Sequence, residues 1–493
     1  MIATHGSPLR DLLFEQGVEF PCGGQGRCRG CKIRVRSGAA SLNNAQREHL
    51  TADEIGNGWR LACQCNVEDD LVIELRQWDA TILTNESEFA FTPQQGLGVA
   101  VDLGTTTLVA QLLDLETGRV LAVRTTLNPQ ARHCADVMSR VQFAVEEGGQ
   151  AALQEVIRHE IGVLVRQLLR AAAVDSCRLR KVVLVGNTVM HHLFSGVSVE
   201  PLSHFPFESA NDGLQILTPE ELDWELPDTV TVQFLPGLGS FVGSDILAGI
   251  LATGLHESER VRMLVDLGTN GEIVIGNRER VLCASTAAGP AFEGARITAG
   301  MRASTGAIWK VTRDNGALNC EVLGNVPARG ICGSGLVDAV AVGLDLERIL
   351  PSGRIAGGAT EFPLTDAVSL HQCDVRQLQL AKGAIAAGIR LLIQQWGVEE
   401  AEVDRLYLAG AFGNYINRAS ARRIGLIRFA MDDVQPVGNT ALLGAKLALF
   451  NRDCEESAYA GLRAKVTHVG LNEDPRFQDT YVDEMGFPSR APA

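Results

Sequence analysis

Three cysteines, Cys22, Cys28 and Cys31, fall in the short stretch Pro21–Cys31, threaded by Gly23, Gly24, Gly26 and Gly30. A fourth, Cys63, follows in Arg60-Leu61-Ala62-Cys63-Gln64, with Cys65 two residues later. Glycines that tolerate positive φ let a loop wrap around an inorganic group and aim its amides at sulfur. The spacing C-x5-C-x2-C, then a distant cysteine, is one residue longer in its first gap than the C-x4-C-x2-C…C run that holds a [2Fe–2S] cluster. Electron transfer is the chemistry this predicts. Zinc is the alternative, but its sites favour paired C-x2-C knuckles, and there is one here. Spacing alone does not separate Cys63 from Cys65, since alternate residues of a strand share a face.

A second chemistry lies further on. Val101-Asp102-Leu103-Gly104-Thr105-Thr106-Thr107 is an apolar strand ending in an aspartate and a tight turn, and Val265-Asp266-Leu267-Gly268-Thr269-Asn270-Gly271-Glu272 repeats it. Backbone amides and hydroxyls of such turns form anion-binding nests. The turn residues Gly104, Thr105, Thr106, Gly268, Thr269, Asn270 and Gly271 are therefore candidate phosphate ligands. Asp102 and Asp266 are the candidate catalytic residues, holding Mg²⁺ through water or positioning an attacking water. One such turn is weak evidence, because a plain hairpin explains it; a pair is an internal repeat and implies two similar lobes. A third piece, Ala409-Gly410-Ala411-Phe412-Gly413-Asn414, is a side-chain-poor turn after a strand, where an adenosine can lie against Gly410, Ala411 and Gly413. Gly289, in Ala287–Gly294, either faces the nucleotide or belongs to a simple loop.

The elements that must carry these residues are legible. Ser7–Gln16 reads as a short capped helix with proline in its first turn. Lys32–Arg36 and Asp70–Leu75 alternate as half-buried strands, and Asn44–Asp53 is helix-like. These predict a small unit over residues 1–78. Only about six residues precede its first helix, fewer than a full edge strand takes, so either a misplaced start codon or a truncated edge strand is expected. Asp79–Gly96 has neither period, and residues 79–97 are predicted to be a linker of about 18 residues that lets the first unit move. Lobe I is expected over 98–255, lobe II over 256–453 and a polar tail over 454–493. Arg180–Leu193 reads as strand, turn and helix, Ala381–Trp396 as a long helix, and Gly330–Ala339 as a small-residue helix start of the kind found where lobes hinge. His191 and His192 are adjacent and should not converge on a metal; core packing is expected, as for Cys283 and Cys332.

The chain of 493 residues has 46% hydrophobic and 21% charged residues, as soluble globular proteins do. A net charge of −15 and a pI of about 5.2 argue against nucleic acid or an anionic membrane as partner. No apolar run is long enough to span a bilayer, Met1–Gly6 lacks a signal-peptide layout, and the cytoplasm is the expected compartment.

Phosphate turn, phosphate turn, then adenosine turn resembles the superfamily of acetate and sugar kinases, Hsp70 and actin, from about residue 98 to 450. Pro21–Cys31 and Arg60–Gln64 resemble plant-type ferredoxins, whose last ligand sits in a Leu-x-Cys setting, which selects Cys63. The combination, with Asn128-Pro129-Gln130, Gly186–His192, Gly289–Gly294 and Ile331–Leu336, resembles the reductive activators of corrinoid proteins over nearly the whole chain. The implied fold is an α+β β-grasp ferredoxin-like domain followed by a two-lobed α/β, ribonuclease H-like acetate/sugar kinase–Hsp70–actin fold. The implied enzyme is an ATP-hydrolysing iron–sulfur oxidoreductase that returns Co(II) of a corrinoid methyltransferase protein to Co(I), with [2Fe–2S], ATP and Mg²⁺ as cofactors. A corrinoid protein, a low-potential electron donor and a second copy of the chain are the expected partners. A plant-type cluster sits near about −400 mV, and an opposing gap of about 0.1–0.2 V costs about 2–5 kcal/mol per electron; ATP must supply that through its preference for one state of the complex. Two rivals remain at this stage, a small-molecule kinase with a redox-sensing cluster and a nucleotide-binding scaffold without turnover.

Overall fold

The computed structural model describes residues 5–14, 31–68, 70–75, 89–134, 136–146, 148–209, 211–239, 241–268, 270–314, 317–451 and 455–489. Cys22, Cys28, Thr269 and the first part of the expected linker lie outside them.

The first unit has helix α1 (Leu9–Phe14) and three antiparallel strands, β1 (Lys32–Ser37), β2 (Trp59–Leu61) and β3 (Val72–Leu75), in the order β2-β1-β3. Helix α1 starts at Leu9 rather than at the expected Ser7, because Pro8 bridges to Asn66 and the Gly6 N–H donates to Val67 O (2.8 Å); Glu15 and Gln16 lie outside the described residues. The expected helix at Asn44–Asp53 is two, Asn44–His49 and Ala52–Gly56, since Thr51 starts a new N-cap with Glu54 completing its capping box. Leu9, Leu13, Cys31, Ile33, Leu61 and Cys65 form the core of this unit.

Lobe I opens with a meander, β4 (Leu97–Leu103), β5 (Thr107–Asp114) and β6 (Val120–Leu127), followed by helices α2 (Val137–Glu146) and α3 (Gln150–Ala171). Then come β7 (Leu179–Val185), α4 (Thr188–Ser195), β8 (Gln215–Leu217), β9 (Thr231–Phe234) and α5 (Ser244–Thr253). The sheet order is β6-β5-β4-β7-β9-β8, with β4, β7 and β9 parallel. Strand β4 is covered on both faces, as the continuous apolar run predicts; Asp102, next to its end, is its one incompletely buried residue.

Lobe II repeats the plan. Strands β10 (Arg262–Leu267), β11 (Gly271–Gly276) and β12 (Val281–Thr286) form the meander. After α6 (Gly333–Asp345) and α7 (Gln372–Trp396), β13 (Arg405–Ala409) and β14 (Val434–Gly438) lie parallel beside β10, each followed by a helix, α8 (Gly410–Tyr415) and α9 (Thr440–Leu449). The Gly-Ala-Phe-Gly segment, expected as a turn, is thus the first turn of α8.

Three expectations change. The stretch expected as a polar tail (454–493) is folded over residues 455–489: β15 (Val466–His468) pairs parallel to β12 at the sheet edge, and α10 (Phe477–Met485) packs on α7. Its polar residues are spent in contacts, for Glu484 is buried against Arg428 (2.6 Å) and buried Lys382 donates to Gly486 O (2.7 Å). The end of the expected linker is anchored, with Phe89 and Phe91 packing on Phe450 (ring centroids 5.4 and 4.5 Å apart). The small residues of α6 pack within lobe II, where a Cβ at Gly333 would lie 1.8 Å from Phe292 O. The contact between lobes is α5 on α9 instead, so close that a Cβ at Gly444 would fall 2.3 Å from Ala248 O.

Candidate functional site

Because both sheets are parallel about their central strands, the carboxyl ends of β4, β7, β10 and β13 place their following turns together, the usual ligand position in such folds. The first turn is braced from behind. The Gly104 N–H donates to Thr107 O (3.1 Å), and a Cβ at Gly104 would sit 2.6 Å from that oxygen, so the turn needs glycine there. Asn128 donates twice, its backbone N–H to Thr106 O (2.8 Å) and its Nδ2 to Gly104 O (2.9 Å). Asn187, which caps α4 after β7, donates from Nδ2 to Thr105 Oγ1 (2.8 Å). Arg140, fully buried on α2, donates to Thr105 O, to Cys134 O (3.2 Å) and to Gln130 Oε1 (3.0 Å). Burial pulls its pKa down to about 10, so it stays a cation at neutral pH behind the turn.

Four carboxylates meet at these strand ends. Burial pushes Asp102 up to about 6, partly offset by Asn439, whose Nδ2 donates to Asp102 Oδ2 (2.7 Å). Burial, then the charge of Asp102, pushes Asp245 up to about 7; burial, then Asp245 and Asp102, does the same for Asp266. Glu272 is raised by burial, Asp245 and Asp266. Carboxylates from both lobes therefore feel one another, and their low-dielectric surroundings favour the protonated forms. Among the described residues no group of three or more His, Cys, Asp or Glu is arranged to hold a metal directly.

The other predicted residues divide. Gly268 and Asn270 form the second turn, closed by Gly268 N–H to Asn270 O (3.1 Å). Gly410, at φ +85°, lies against Asp266, whose Oδ1 would be 2.6 Å from a Cβ there. The absent side chain thus makes room for the Asp266 carboxylate. Gly271 faces Ile385 of α7 and Gly413 faces the Leu408 backbone, so both serve packing. Gly289, at φ +77°, faces open space, and the turn after it stacks Phe292 on Phe412, two residues into α8 (4.6 Å). Ala411 lies in α8.

Sequence reasoning passed over Asp245, Glu272, Asn187, Asn439 and Arg140. Glu272 was inside the second repeat, and Asn187 and Asn439 each had the signal of an N-cap before threonine. Arg140 carried no local signal, since a basic residue on an amphipathic helix reads as solvent-facing. The adjacent histidines approach more closely than helix geometry led us to expect, with Nδ1 atoms 3.3 Å apart. Their other nitrogens are engaged, His191 with Gly213 O (3.0 Å) and His192 with Ser209 Oγ (2.9 Å).

In the first unit, Cys31 is buried at the start of β1, and its carbonyl accepts from the Ala62 N–H (3.0 Å), beside Cys63. Cys63 is partly exposed, and Gln64 Nε2 lies 3.7 Å from its sulfur. Cys65 is sealed in the core on Leu61 O (3.3 Å), and burial pushes its thiol up to about 11. A thiolate ligand is disfavoured at Cys65 and accessible at Cys63, so the described cysteines fit a cluster held by Cys63.

A cysteine-bearing small unit joined to a duplicated, two-lobed nucleotide-type scaffold defines a ferredoxin–ASKHA fusion. Family models agree in sequence order: a 2Fe-2S iron-sulfur cluster binding domain over residues 2–68, the RACo middle region over 97–258, and the C-terminal domain of RACo, the ASKHA domain, over 260–492. The corrinoid activation enzyme RamQ of Eubacterium limosum is 35% identical, covering 78% of this chain and 69% of that protein. The [Co(II) methylated amine-specific corrinoid protein] reductase of Methanosarcina barkeri is 25% identical over 79% of this chain and 77% of its own length. A solved structure of a reductive activator for a corrinoid, iron–sulfur protein superposes with a TM-score of 0.73 at 27% identity, covering 99% of this chain and 96% of that one. The chain belongs to the family of reductive activators of corrinoid proteins. Among the described residues no helix is long and apolar enough to cross a membrane.

Proposed function

We propose that this protein carries out ATP-dependent reductive activation of a corrinoid methyltransferase protein, returning Co(II) to Co(I) by one electron. The observation that carries this reading is the meeting of carboxylates from two copies of one hairpin, in a chain that also bears a cysteine unit of ferredoxin type. Cys22, Cys28, Cys31 and Cys63 would hold a [2Fe–2S] cluster, which supplies a one-electron carrier of low potential. The amides of Gly104–Thr106 and of Gly268–Asn270 would hold the phosphates of ATP, and Gly289 and Ala411 would border its adenosine, Gly271 and Gly413 being taken up by packing and Gly410 by Asp266. Asp102 and Asp266, with Asp245 and Glu272, would hold hydrated Mg²⁺ and orient the attacking water. Their raised pKa values favour a site that ionises when the cation binds. We divide the chain into a cluster unit (1–78), a linker (79–97), lobe I (98–255) and lobe II (256–453, completed by the folded segment after 454). A low-potential donor in the cytoplasm must recharge the cluster unit after each turnover.

The test is reduction of a Co(II) corrinoid protein by anaerobically reconstituted protein, followed by cobalt absorption with and without Mg·ATP. Reduction that requires ATP is expected; equal reduction without it would overturn the reading.

A further inference from the structure

The turn that joins β6 to α2 touches both chemistries. On one side, Leu127 and Ala131 pack against the core of the cysteine unit, which holds Leu9, Leu13, Cys31 and Leu61. On the same side Arg10 of α1 lies near enough to His133 for its charge, after burial, to help hold the His133 pKa down. On the other side the turn carries the bonds to the phosphate turn. Three consecutive carbonyls, Gly104 O, Thr105 O and Thr106 O, accept from Asn128 Nδ2, Arg140 and the Asn128 N–H. Arg140 is itself held on Gln130 Oε1. Because a trans peptide points its N–H opposite to its C=O, the amides of Thr105 and Thr106 are turned away from Asn128 and Arg140, toward the anion position. An anion drawing on those amides polarises the same peptides and strengthens their bonds to Asn128 and Arg140.

We propose that the segment Leu127–His133 is a seat for the cysteine unit whose hold depends on phosphate at the Gly104–Thr106 turn, so that nucleotide state decides whether the electron-carrying unit is docked or released. This rests on the nucleotide reading of that turn given above. The unit has a second tether, since Phe89 and Phe91 dock on Phe450 at the end of α9, and Asn439 at its start bonds Asp102. Both attachments thus begin at the candidate site.

Hydrogen exchange on the full-length, reconstituted protein tests the seat, with and without a non-hydrolysable ATP analogue and Mg²⁺. Protection of residues 103–107 reports nucleotide binding; exchange of α1 and of 127–133 reports docking. A nucleotide-dependent change at α1 of about fivefold or more is expected, the lower end of ordinary coupling between sites. Ala131→Glu sets a carboxylate against the apolar core of the cysteine unit; it should speed exchange of α1 and abolish its response to nucleotide, with 103–107 still protected and ATP hydrolysis within about twofold. Arg10→Glu puts a carboxylate near His133, where the charge of Arg132 is also felt, and should slow exchange of α1 without nucleotide. If 103–107 is protected while α1 does not respond in the unmodified protein, the seat is refuted and the nucleotide site stands. If 103–107 is not protected, the nucleotide reading falls and takes the seat with it. Faster α1 exchange in Arg10→Glu would also count against the seat.

Discussion

In lobe I the turn after Asp102 is tied from behind by Asn128, Arg140 and Asn187, and Asp102 itself is held by Asn439. In lobe II the turn after Asp266 has, among the described residues, one backbone bond between Gly268 and Asn270 and a side-chain contact from Asn270 to Glu272. The strands that carry the two turns share one topology, so the difference lies in what each lobe built behind its copy. Amides fixed before the ligand arrives cost no reorganisation when charge appears. The first turn is preorganised in this sense; among the described residues the second has fewer bonds to lose on moving. The same contrast of held and open groups separates Cys65, sealed in its core, from Cys63, which keeps access to solvent.

The largest expected effect tests that last contrast. Cys63→Ser should abolish the visible absorption of the reconstituted protein, whereas Cys65→Ser should keep it; the reverse outcome would exchange their roles. Next come the aspartates. Asp266→Asn should lower the rate of ATP hydrolysis about 10²–10³-fold, within the usual contribution of a positioned acid–base group. An equal loss in Asp102→Asn would show that bracing does not distinguish the two. Arg140→Met removes donors from two buried acceptors, Cys134 O and Gln130 Oε1, and from the half-buried Thr105 O; a buried acceptor left unpaired costs about 1–3 kcal/mol. Chemical denaturation should register a loss of about 3 kcal/mol, and the KM for ATP should rise with it. Asn439→Ala loses both the bond to Asp102 and the N-cap of α9. A stability cost of about 1 kcal/mol is expected for the cap, with a fall in hydrolysis smaller than that of Asp102→Asn.

The smallest effect is in pH dependence. Asp102, Asp245 and Asp266 titrate at about 6 to 7 in the folded chain, against 3.8 for an ordinary aspartate. Between those values the folded state binds more protons than the unfolded one, so stability falls as pH rises from about 4 to about 7 and then levels. The thermal midpoint of nucleotide-free protein should therefore be higher near pH 5.5 than near pH 7.5. Asp245→Asn should flatten the slope; an unchanged slope would mean the carboxylates are not the titrating groups.

Much of the candidate site could be read from local pattern. The Asp-x-Gly-Thr strands at Asp102 and Asp266, the strand before Gly410 and the strand–turn–helix at 180–193 all fold as their periodicity predicts. Local pattern failed where a residue's role depends on a distant neighbour. Gly410 reads as room for a ligand, yet Asp266 occupies that room. The segment after 454 reads as a solvated tail because β15 has three residues and α10 nine, too few to show a period, and its Glu484 reads as exposed until Arg428 and Arg390 are set beside it.

What the amino-acid order determined alone is the set of strand-ending turns and the thiol spacing, because a hairpin or a ligand loop is specified by residues within a few positions of one another. What tertiary structure decided is which charges meet: Asp245 with Asp102 and Asp266, Asn439 with Asp102, Arg140 behind Thr105, and Leu127 and Ala131 under the cysteine unit. Those partners are far apart in the chain and converge only because two parallel sheets bring the ends of their central strands to one place.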